Sequence, residues 1–164
     1  MSARSRSRQA ALQVLYQDDF NAERSRDADR QYLNDQLDQD DSLVVFAWDL
    51  IDGVRMYQVA IDQQIATAAD KWELNRLTAI DRNIIRLAVF ECQYKQTPLQ
   101  VAIDEAIRSA KRFGGKDSPA FVNGVLDFIL TGKQKAAVLP AETEEGDAVP
   151  KPSGLKRFLK PRES

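Results

Sequence analysis

The chain has 164 residues, no histidine, one cysteine (Cys92) and 23 basic against 25 acidic residues, a formal charge of −2. That length suits one domain, or one domain and a tail. Without imidazole, Ser-His-Asp and Cys-His catalysis are excluded, and a lone cysteine supports neither an internal disulfide nor a zinc site of the usual ligand types. No apolar run approaches the roughly 18 residues that span a bilayer. The basic start leads into no signal-peptide stretch, so a cytoplasmic protein with no membrane partner is expected.

The charge is uneven. Residues 1–8 carry three arginines and no acid. Residues 9–132 carry 13 basic and 20 acidic residues, a net of −7, and residues 133–164 carry seven and five, a net of +2. An acidic body between positive ends points to an anionic partner for those ends.

The elements are helical throughout. Leu12, Leu15 and Tyr16 recur at spacings of three and four, which predicts a first amphipathic helix near residues 5–20. A weaker pattern follows in Ala28, Tyr32, Leu33 and Leu37, and then an acidic turn after which Ser42 can cap. Val44, Trp48, Ile51, Val54, Ile61 and Ile65 mark a long stretch over 43–69, with break points at Gly53 and 56–58 that allow two helices. Residues 71–77 read as a connector anchored by Trp72. Thr78 with Asp81 three residues on is a cap with an acid in the first turn. Thr97-Pro98 and Ser118-Pro119 are cap-plus-proline starts. Phe113-Gly114-Gly115 reads as a left-handed helix end, and Gly132 as the end of the last helix. The expectation is an all-α fold of six or seven helices: a basic arm over 1–8, a helical domain over 9–132 and a disordered tail over 133–164.

Tests for chemistry mostly fail. Gly114-Gly115-Lys116-Asp117-Ser118 lacks the earlier glycine, the Lys-Ser/Thr step and the preceding strand of a phosphate-binding loop. Asp40-Asp41 and Asp104-Glu105 are sequence neighbours, which a helix turns about 100° apart. No catalytic constellation, metal site or cofactor site is expected, so the chain reads as a non-enzyme. Arg4, Arg6 and Arg8 alternate with serine and lead into a helix bearing Tyr16, and loose arginines beside aromatics suit single-stranded RNA. Lys111, Arg112, Phe113, Lys116, Asp117 and Phe121 form a second candidate surface, although both phenylalanines also suit a core. Asn123-Gly124 reads as a site of close helix packing. In the tail, Leu155, Phe158 and Leu159 between basic residues could make one amphipathic turn, with a solvated tail the blander reading.

The segments Val101-Ala102-Ile103-Asp104-Glu105-Ala106 and Ala110-Lys111-Arg112-Phe113-Gly114 resemble the NusB family of bacterial transcription antitermination factors. So do Asp117-Ser118, Phe121 through Asp127, Arg8 with Ala11 through Tyr16, and Asp81 through Ala88. The resemblance covers roughly residues 4–130 and leaves the tail out. It implies two packed helical bundles that bind boxA RNA together with NusE, a small-subunit ribosomal protein, within an RNA polymerase antitermination complex that suppresses termination on ribosomal RNA operons. It implies RNA contacts at Arg4, Arg6, Arg8, Tyr16, Phe113, Asp117 and Phe121, and NusE contacts around Asp81 and Arg82; the charge of the turn adds Lys116 to the expected RNA contacts. Some members self-associate, which leaves a homodimer open. Ser5, Ser7 and Asn75 depart from the pattern, which points to weaker RNA binding by the protein alone. Two other readings compete. An RNA methyltransferase fails because about 30 residues after Gly132 cannot hold a catalytic domain, and a helical protein-interaction module without RNA binding remains the alternative.

Overall fold

A computed structural model describes the backbone of residues 1–72 and 77–138, with side chains for 1–70 and 77–132. Among these residues there are six helices and no strand: α1 (Ala3–Asp18), α2 (Arg26–Gln36), α3 (Asp41–Trp72), α4 (Ala79–Tyr94), α5 (Leu99–Phe113) and α6 (Ser118–Val138). No described helix is long and apolar enough to cross a membrane.

The chain divides into two compact units, Met1–Gln58 and Val59–Ser164, with the boundary inside α3. The break points expected near Gly53 are not realised, and α3 is one helix of 32 residues. Leu50, Ile51 and Val54 around Gly53 are all fully buried, so packing offsets the roughly 1 kcal/mol that glycine costs a helix.

In the first unit, Leu12 and Leu15 of α1, Leu33 of α2 with Leu37 just after it, and Leu50 and Ile51 of α3 are fully buried. Burying each such side chain stabilises the fold by about 1.5–3 kcal/mol. Four charged groups then fix the ends of these helices. The Arg55 guanidinium donates twice to the Asp18 carboxylate (both 2.9 Å) and once to Asp29 (3.2 Å), while Arg24 donates to Asp29 (2.8 Å) and Asp18 (3.1 Å). The carboxylates of Asp18, then Asp29, raise the Arg55 pKa above its ordinary value against the opposing effect of burial. Nearer the surface, Arg26 pairs in a bidentate fork with Asp52 and lies 3.8 Å from the centre of the Trp48 ring.

Asp40, rather than Ser42, caps α3. Its carboxylate accepts the Ser42 hydroxyl (2.9 Å), the Ser42 amide (3.0 Å) and the Leu43 amide (3.2 Å). The turn before it holds Asp38 and Gln39 at positive φ, 55° and 57°.

In the second unit, every residue of α4 from Asp81 to Glu91 is buried, because α5 and α6 both pack against this helix. Charge buried on such a helix is costly unless it finds a partner. Arg86, 3% exposed, forks onto Asp62 with two bonds of 2.8 Å and donates to the Asn83 amide oxygen at 3.1 Å. Thr78 caps α4 as expected, its hydroxyl accepting the Asp81 amide at 3.1 Å. Thr97 does not cap α5: its hydroxyl donates back to the Glu91 carboxylate (3.1 Å) and its amide to the Glu91 carbonyl, so the cap position falls to Pro98. α6 runs past Gly132 to Val138, which moves the start of the expected tail. The expectations for Trp72, Asn75 and the residues beyond 138 lie outside the described side chains or residues.

Candidate nucleic-acid interface

Two clusters of basic and aromatic side chains carry the candidate site, one in each unit. The first lies along α1. Ser2 caps this helix by accepting the Ser5 amide at 3.1 Å, so residues 3–8 are helix rather than a loose arm. Ser5 and Ser7 are the reason. Both are buried, and the Ser7 hydroxyl donates to the Leu43 carbonyl at 3.0 Å. Ser7 thus meets the backbone of α3, and the hydrogen bond removes the penalty of burying its hydroxyl.

The helix separates the three arginines. Arg4 is exposed, its guanidinium 4.5 Å from the centre of the Phe46 ring. Arg6 is half-exposed and donates to the Gln36 carbonyl (2.9 Å) and the Asp38 carboxylate (2.8 Å). Arg8 is 7% exposed and lies 5.3 Å from the same Phe46 ring. Arg8 is therefore a packing residue, and its expected place in a solvent-facing arm is corrected. Tyr16 is half-buried, with Phe20 tilted against it at 4.9 Å between ring centres. Phe20 is 65% exposed and escaped the sequence reading, although its i+4 spacing from Tyr16 signals a pair on one face.

The second cluster is the turn from α5 to α6. Lys111 and Arg112 are exposed in the last turn of α5, where the helix dipole favours cations, and Arg112 lies 5.3 Å from the centre of the Phe113 ring. Lys116 and Asp117 are exposed, and Phe113 and Phe121 are half-buried, so neither ring is sealed in the core. Gly114 is extended (φ −92°, ψ −176°) rather than left-handed. Its need for glycine is spatial: a Cβ there would stand 2.5 Å from both Cβ and Oγ of Ser118. The Ser118 hydroxyl accepts the Gly115 amide (2.9 Å) and donates to the Asp81 carboxylate (3.1 Å). Gly124, expected at a close helix contact, has no described atom within 4 Å of where its Cβ would be.

Asp81 and Arg82, expected to face a protein partner, are 6% and 4% exposed. The Asp81 carboxylate holds the Ser118 hydroxyl within the second unit, and both side chains offer little surface in this structure. Cys92 is half-buried, and burial followed by the neighbouring Glu91 charge pushes its thiol pKa up, away from reactive thiolate.

Cations beside half-exposed rings, carried on an acidic scaffold of helices, define an all-helical protein whose surface chemistry suits a polyanion bearing bases. The model of the NusB family matches residues 5–131. The chain belongs to the NusB family. It is 45% identical over 143 residues to the transcription antitermination protein NusB of Desulfotalea psychrophila, covering 82% of this chain and 100% of that one. The solved NusB structure of T. maritima superposes with a TM-score of 0.67 at 38% identity, covering 79% and 91% of the two chains. A structure of antitermination factors NusB and NusE in complex with dsRNA contains a chain of the same fold, with TM-score 0.68, 24% identity, and 79% and 96% coverage.

Proposed function

We propose that this protein is a cytoplasmic, non-enzymatic transcription antitermination factor that binds boxA RNA with NusE and suppresses termination on ribosomal RNA operons. The observation that carries the reading is the family match over residues 5–131, which takes in the whole second basic-aromatic cluster and the first from Arg6 onward, with Arg4 one residue before it. Arg4 on α1, and Lys111, Arg112 and Lys116 at the second cluster, supply exposed cations for phosphates, and Tyr16, Phe113 and Phe121 supply rings for bases. The −7 charge of residues 9–132 repels RNA in general. Binding therefore depends on these local cations and on a basic partner, which the acidic body attracts. NusE is that partner in this reading, within an RNA polymerase complex.

Titration of labelled boxA RNA with and without NusE, at several salt concentrations, tests the reading. Three or four phosphate contacts give a slope of log K against log salt of roughly −2 to −3 for a single strand. A slope near zero removes the phosphate contacts. No binding in either titration favours a helical protein-interaction module that does not use RNA.

A further inference from the structure

The first unit contains a cavity of about 210 Å³ between α1 and α2 that the candidate clusters do not include. Gln13, Val14 and Gln17 of α1 line one side, Ala28, Asp29 and Tyr32 of α2 the other, with Arg24 between the helices. The facing pairs Gln13/Gln17 and Ala28/Tyr32 are each spaced i,i+4, so two helical stripes form the walls.

The charged groups of this cavity are already satisfied. Asp29 takes Arg24 and Arg55, and Arg24 also donates to the Val14 and Asn21 carbonyls and to Asp18. An ionic ligand therefore finds no unmatched charge. The Gln13 and Gln17 amides and the Tyr32 hydroxyl are different: among the described residues none is recorded in a hydrogen bond with them. Each amide offers a donor and an acceptor, and the phenol offers one more of each. Burial also raises the Tyr32 pKa, which keeps its hydroxyl protonated. The rest of the lining is the Val14 and Ala28 side chains and the Tyr32 ring. A cavity of about 150 Å³ admits benzene, so this one has room for a single planar heterocycle. What fits is neutral, flat and edged with donors and acceptors.

We propose that this cavity receives one unpaired base of the bound RNA, with Tyr32 packing against it and Gln13 and Gln17 reading its edge. The inference rests on the RNA-binding reading above and adds a base-selective position to it. Single-stranded RNA is read through splayed bases of this kind. Arg6 lies on the same stripe of α1, seven and eleven residues before the two glutamines, and α1 also carries exposed Arg4.

The test is a double-mutant cycle between the protein and boxA-containing RNA. Each RNA position is made abasic in turn, and Tyr32→Leu and Gln17→Leu proteins are compared with wild type for affinity and thermal stability. At one RNA position, removing the base should weaken wild-type binding about ten-fold, the scale of one stacked base. Each variant should weaken the intact RNA several-fold, lose nothing further on that abasic RNA, and leave the salt slope unchanged. Variants that keep their melting temperature and bind every RNA as wild type does, or that weaken all RNAs equally, overturn the inference. If the wild-type protein binds no RNA, the functional reading fails and this inference with it. If it binds and the cycle is flat, the cavity assignment alone fails.

Discussion

The Ser118 hydroxyl donates to the Asp81 carboxylate at 3.1 Å and so joins the first turn of α6 to the first turn of α4. The same oxygen accepts the Gly115 amide, and Gly114 lies too close to tolerate a methyl group. Ser118→Ala should therefore destabilise the protein by about 1–2 kcal/mol, because it strands a buried carboxylate oxygen and an amide. Gly114→Ala should cost about 1–3 kcal/mol through overpacking, with no contribution from backbone strain. Urea midpoints at constant m-value measure both, and an unchanged midpoint for Gly114→Ala would show that the turn relaxes freely.

Gly124 gives the opposite expectation. It lies mid-helix with open space where a side chain would be. Gly124→Ala should stabilise by up to about 1 kcal/mol through helix propensity. A lower melting temperature for this variant would mean that a neighbour fills the space in solution.

The arginines of α1 should separate by assay. Arg4→Ala should leave thermal stability nearly unchanged and reduce the magnitude of the RNA salt slope by about 0.7, one phosphate contact on a single strand. Arg8→Ala should lower the melting temperature, because its side chain is packed beside Phe46. Equal salt slopes for wild type and Arg4→Ala would remove Arg4 from the RNA contacts.

Asp40 gives the start of α3 an acid-sensitive lock. The Ser42 hydroxyl, then the Leu43 amide, hold its carboxyl below the usual carboxylate range. A folded-state value below the unfolded one, about 3.9, means that this contribution is present above that pH and is lost as pH falls through the lower folded value. Asp40→Asn keeps an acceptor at the cap and removes the titration. Its urea midpoint should fall less steeply than wild type from about pH 4 downward. Parallel declines would place the acid sensitivity elsewhere.

Much of the helical plan was written in local patterns. Thr78 with Asp81, and the spacing of Ile84, Ile85 and Leu87, need only their own neighbours in the chain. What the local pattern missed depends on tertiary partners. Ser5, Arg8, Leu12 and Leu15 continue one helical stripe, but its first two members are polar and read as solvent-facing. The burial of Arg8, and of Ser7 beside it, comes with the Phe46 ring and the Leu43 carbonyl, more than 30 residues away. For Asp81 and Arg82 the resemblance implied a partner surface, whereas their burial, with Ser118 set against Asp81, became visible only in the assembled fold. Thr97 had the residue type of a cap, yet Glu91 claimed its hydroxyl. At the candidate interface, Lys116 and Asp117 emerged exposed as read, whereas Phe20 and the cavity around Tyr32 needed the helices to be assembled.

The first turn of α1 contains no acid and carries Arg4 and Arg6 at the positive end of its dipole. An acidic residue there would contribute about 0.3–1 kcal/mol, so this end forgoes that stability and adds repulsion in its place. The Asp38 carboxylate already answers Arg6, and further negative charge settling beside Arg4 relieves what remains. Folding and ligation are thus linked at this helix: a bound polyanion stabilises the start of α1 as well as being held by it, and the ligand-free protein is the less stable member of the pair.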